Sequence, residues 1–77
     1  MNKYYSTSDL ALTTAISLWY PLDSIDKSNP KKALFLFRRE DGLDEFIEGY
    51  WRGEIKVEPR EYFNQLRNIK SRLYGSE

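Results

Sequence analysis

The 77-residue chain has no cysteine and no histidine, only four glycines, three prolines and one methionine, and no net charge. Without cysteine there is no disulfide framework, no thiolate nucleophile and no iron–sulfur or Cys-type zinc site. Without histidine the usual metal ligand and the usual proton shuttle near neutral pH are both missing, and so is the Ser-His-Asp relay. The glycines at 42, 49, 53 and 75 form neither a dinucleotide fingerprint nor a Walker loop. Nothing approaches 18 consecutive apolar residues, and the first residues hold no apolar run of seven, so neither a membrane span nor a signal peptide is expected. These gaps point to a non-enzymatic, cytoplasmic protein with no cofactor, no metal, no small-molecule substrate and no membrane partner.

What is present is aromatic and patterned. Lys3–Thr7, with two adjacent tyrosines, reads as a short strand. Thr7-Ser8-Asp9 supplies an N-cap and a first-turn carboxylate for a helix over Leu10–Tyr20, an uncharged and therefore buried segment that Pro21 stops. Residues 21–32 read as a loop that Leu22 and Ile25 could pin. The apolar run Ala33–Phe37 predicts a central strand covered on both faces, Phe35 and Phe37 on one side, Leu34 and Leu36 on the other. Leu43, Phe46, Ile47, Tyr50 and Trp51 make one stripe of a second helix that Gly53 ends, with Asp41, Glu45 and Glu48 on a solvated face. Glu54–Val57 alternates polar and apolar, as an edge strand or extended linker would. Pro59 at the first position opens a third helix with Tyr62, Leu66, Ile69 and Leu73 as its core stripe, Phe63 on the flank, and Gly75 as terminator. The expected fold is α+β, three helices packed on a small two- or three-stranded sheet in the order β-α-β-α-(β)-α, as a single compact domain over residues 1–77.

The segments YYSTSDL (4–10) and VEPREYFNQLRNIK (57–70), with Leu34-Phe35-Leu36-Phe37 and Tyr50-Trp51-Arg52-Gly53 between them, resemble a small family of uncharacterised bacterial and phage-type domains. The resemblance implies a compact α+β unit in a phage or mobile-element context, and it brings no catalytic residue with it.

Zero net charge conceals an uneven distribution. Residues 1–39 carry six cations against three carboxylates, residues 40–58 seven acids against Arg52 and Lys56, and residues 59–77 four cations against two acids. Two binding readings follow. The first is a recognition module for a protein partner or a second copy of itself. It rests on aromatics placed where exposure is expected: Tyr4 and Tyr5, which point to opposite faces of a strand, and Trp19, Tyr20 and Tyr74 at element ends. The alternative is a nucleic-acid-binding accessory protein. It would use Lys31 and Lys32 before the central strand, Arg38 and Arg39 after it, and Arg60, Asn64, Arg67 and Lys70 on the last helix, with a tyrosine stacked on a base. Absence of a basic excess weighs against that alternative. The remaining rings, Phe35, Phe37, Phe46, Tyr50, Trp51, Tyr62 and Phe63, are assigned by periodicity to the core.

Overall fold

The computed structural model describes residues 3–75; Met1, Asn2, Ser76 and Glu77, the last counted in the charge balance, lie outside them. The element order is β1 (Tyr4–Thr7), α1 (Leu10–Ser17), β2 (Ser24–Asp26), β3 (Leu34–Arg38), α2 (Leu43–Trp51) and α3 (Pro59–Tyr74). The fold is α+β, with three helices and a three-stranded antiparallel sheet in the spatial order β1-β3-β2. Tyr5 pairs with Phe37 and Thr7 with Phe35 on one side of β3, and Ile25 pairs with Phe35 on the other. The central strand is thus the apolar run expected to hold that place.

Its two faces are not equal. Phe35 and Phe37 are buried in a core with Leu12 and Ile16 of α1, Leu43 and Ile47 of α2 and Ile69 of α3. Leu34 and Leu36 are only half-buried, on the face they share with Tyr4, Ser6, Ser24 and Asp26. The expectation of cover on both faces is therefore corrected. Three helices are spent on one side of a narrow antiparallel sheet, and such a sheet tolerates water on the other.

The third strand also lies elsewhere than expected. β2 falls inside the segment read as a loop, because three residues are too few to show alternation. Glu54–Val57 pairs with no strand; its alternation serves packing, with Ile55 against the open side of Gly49, where a Cβ would stand 3.2 Å from the Ile55 Cδ1.

Helix ends follow the chain's hydrogen-bonding chemistry. Asp9 is itself the N-cap of α1, its carboxylate accepting from Leu12 N–H at 3.1 Å, rather than a first-turn acid. α1 stops at Ser17, three residues short of Tyr20, where Leu18 and Trp19 tighten onto Ala15 O and Ile16 O. α2 ends in a Schellman motif: Gly53 (φ +74°) donates to Tyr50 O, and Glu54 N–H to Gly49 O. Glu58 caps α3 by accepting from Glu61 N–H at 2.9 Å. The described residues contain no helix long and apolar enough to cross a membrane.

Candidate nucleic-acid interface

α3 is the longest element, 16 residues and roughly 24 Å at 1.5 Å per residue. Its inward side carries Ile69, fully buried, with Tyr62, Leu66 and Leu73 half-buried beside it. At 100° per residue, Arg60, Phe63, Asn64, Arg67, Lys70, Ser71 and Tyr74 fall on the opposite side within an arc of about 120°. All seven are exposed. The helix's single carboxylate, Glu61, stands outside that arc.

Two features separate this face from an ordinary solvated one. Its rings are large and in water: Phe63 is 60% exposed and Tyr74 77%. Its cations are unspent, since among the described residues Arg60, Arg67 and Lys70 have no ion-pair partner. Pro59, Arg60, Phe63, Asn64 and Arg67 line a shallow depression of about 400 Å³. A guanidinium fork, an amide and an aromatic face side by side can hold a phosphate oxygen and a base together.

At its C-terminal end the stripe meets the tip of the β2–β3 hairpin. Lys27 Nζ donates to Arg72 O at 3.3 Å, tying hairpin to helix. A groove of about 450 Å³ lies between them, lined by Lys27, Asn29, Pro30, Lys31, Lys32, Ala33, Leu73 and Tyr74. Lys31 and Lys32 from one expected site and Tyr74 from the other thus share one wall.

Residues 2–75 match a family model described as a domain of unknown function (DUF5659). The chain belongs to the DUF5659 family. No curated protein and no solved structure matches it. The match agrees with the resemblance seen in the sequence in one respect, a small domain of unknown function; it carries nothing on a bacterial or phage context.

Other expected residues of this DUF5659 chain are dispersed. Arg38 faces outward on β3, opposite Tyr4. Arg39 is committed elsewhere, bonded to Asp44 Oδ1 at 2.8 Å with its guanidinium 5.7 Å above the Tyr5 ring. Neither joins the α3 stripe. Tyr5 packs against the core rather than presenting its ring, and Tyr20 does the same, its hydroxyl donating to Asp41 O at 3.3 Å. Tyr4 is 36% exposed, and Trp19 is 54% exposed with its ring 5.1 Å from Phe46.

Sequence reasoning assigned Phe63 and Trp51 to the core, and both are corrected: Trp51 is 62% exposed, on the edge of Tyr50. The signal for Phe63 was angular, since it stands about 120° from Ile69 and only about 60° from Arg60 around the helix. Lys27 gave no signal, because its place at the helix end depends on β2.

The ion-paired acids are Asp44 and Glu48 of α2 and Glu54 just after it. Arg52 is braced between Glu48 (3.8 Å) and Glu54 (3.3 Å), so the ion pairs of the described residues cluster around α2. No group of three or more carboxylates among them could hold a metal ion.

Proposed function

We propose that this chain is a non-enzymatic, cytoplasmic recognition module that binds single-stranded nucleic acid along the outward face of α3. One observation carries the reading: that face joins Arg60, Arg67 and Lys70 to the exposed rings of Phe63 and Tyr74, with no carboxylate in the arc. The cations follow a phosphate backbone, and the rings supply sequence-tolerant stacking platforms. Phe63 and Tyr74 stand roughly 16 Å apart along the axis at 1.5 Å per residue, so they engage different bases of one strand. Paired bases keep their faces inside the duplex, which is why the rings favour single strands. Zero net charge does not oppose this reading once the charges are placed. Asp44, Glu45 and Glu48 lie on α2, with Glu40, Asp41 and Glu54 beside it in sequence, and Glu61 of α3 stands outside the arc, which leaves the outward α3 face locally basic.

The test is fluorescence anisotropy of a labelled oligothymidine from 50 to 200 mM salt. Each phosphate contact on a single strand contributes a slope of about −0.7 in log K against log salt, so three α3 cations predict about −2. Arg60→Gln with Arg67→Gln lowers the slope's magnitude by about 1.4, and Phe63→Ala weakens binding at all salt concentrations, by roughly 1–3 kcal/mol for a lost stack. Absent or salt-independent binding would defeat the proposal.

A second reading, association with a protein partner or a second copy, draws on Trp19 and Trp51, both more than half exposed. Tryptophan concentrates interface energy. Its mark is a concentration-dependent rise in mass by light scattering that Trp19→Ala or Trp51→Ala abolishes.

A further inference from the structure

We infer that the groove between the β2–β3 hairpin tip and the C-terminal end of α3 is a separate subsite, one that takes the terminal phosphate of a nucleic-acid strand with its end base against Tyr74. The inference rests on the nucleic-acid reading for the polymer, but the phosphate-and-ring chemistry of the groove stands on observations of its own.

The hairpin tip is built rather than loose. Asp26 Oδ1 accepts Ser28 N–H at 2.9 Å, Asn29 Oδ1 accepts Lys31 N–H at 2.9 Å, and Lys32 N–H returns to Asn29 O at 3.1 Å. These Asx-type turns fix the backbone from which Lys31 and Lys32 project. Both lysines are exposed, and neither has an ion-pair partner among the described residues.

An anion beside a helix C-terminus meets the negative end of the helix dipole. Here that end is partly answered, because Lys27 donates to Arg72 O and Gly75 N–H to Ser71 O. Two ammonium groups remain for a ligand. Asp26, the carboxylate next in sequence to the groove, is turned to the Ser28 N–H and held below the ordinary carboxylate range by that backbone bond and by the Ser28 side chain.

Shape completes the argument. The groove holds about 450 Å³, and a neighbouring hollow of about 350 Å³ shares Lys31, Lys32, Ala33, Leu73 and Tyr74 with it. Tyr74 closes the wall and is the last ring of the α3 stripe, so a strand lying along α3 arrives at the lysines with its end. A chain terminus brings a phosphate of higher charge than an internal diester, and two adjacent ammonium groups select for it.

The experiment compares hexathymidylates carrying a 5′-phosphate, a 3′-phosphate or hydroxyls at both ends, with thymidine monophosphate and thymidine as small probes. One phosphorylated form is expected to bind roughly tenfold tighter than the hydroxyl form, about one charge-assisted contact. Lys31→Gln with Lys32→Gln should erase that advantage, so that the phosphorylated and hydroxyl forms bind alike. Equal affinities for all three forms, or an advantage that survives the double substitution, would overturn the subsite. Should no hexathymidylate bind, the reading of α3 fails, and the groove is judged by amide shifts. Perturbation of residues 28–33 and Leu73–Tyr74 by the monophosphate but not by thymidine sustains the groove as a phosphate-and-ring site, and no perturbation removes it.

Discussion

Thr13 and Thr14 sit side by side in α1, both fully buried, and their hydroxyls are treated differently. Thr14 Oγ1 donates to Leu10 O at 2.8 Å, whereas Thr13 Oγ1 has no hydrogen-bond partner among the described residues. Burying an unsatisfied hydroxyl costs about 1–3 kcal/mol, so Thr13→Val, of nearly the same shape, should gain up to about 1 kcal/mol in urea unfolding. Thr14→Val should lose about 1 kcal/mol, and equal effects would show that both hydroxyls find partners in solution. Gly42 and Gly53 make a second contrasting pair. Both have positive φ, but an added Cβ at Gly42 would stand 2.9 Å from the Tyr20 hydroxyl, while at Gly53 it meets nothing within 4 Å. Gly53→Ala carries only the backbone term of about 1 kcal/mol, and Gly42→Ala is expected to cost about twice as much. Such single-residue facts were only partly legible. The stop at Gly53 follows from the sequence, but the orphan hydroxyl of Thr13 depends on how α1 is buried in the folded chain.

Elements were read more easily where periodicity is long. α2 and α3 lie where their stripes and caps place them, because each repeats its apolar positions over two or more turns. β2 has three residues and no such repeat, and its pairing with β3 is a tertiary fact. Phe63 lies outside the expected core for a related reason: a list of apolar spacings does not say where the stripe's edge falls, whereas Tyr74 is exposed as its place at the helix end implies. One pH effect belongs to this scale. Burial on α2, then the nearby Asp9 and Tyr62, raises the Tyr50 pKa above its ordinary 10.0. A raised pKa means the folded state favours the protonated phenol. Its contribution is therefore fully present below pH 10 and is lost as pH climbs through and beyond that value. Tyr50→Phe should flatten the alkaline limb of a stability-versus-pH curve above pH 10, and an unchanged limb would show that other groups govern it.

As a whole the molecule is a slab, 36 × 33 × 18 Å, with acids gathered about α2 and an unpaired basic, aromatic stripe on α3. That separation is what the zero net charge conceals, and the proposal that a polyanion lies along α3 rests on it. A chemical-shift map tests the claim most directly: an isotope-labelled sample titrated with oligothymidine in low salt. The account predicts that the perturbed amides follow α3 from Arg60 to Tyr74 and continue into the hairpin tip, leaving α2 and Trp19 unmoved. Shifts centred on Trp19 and Trp51, or none at all, would contradict it.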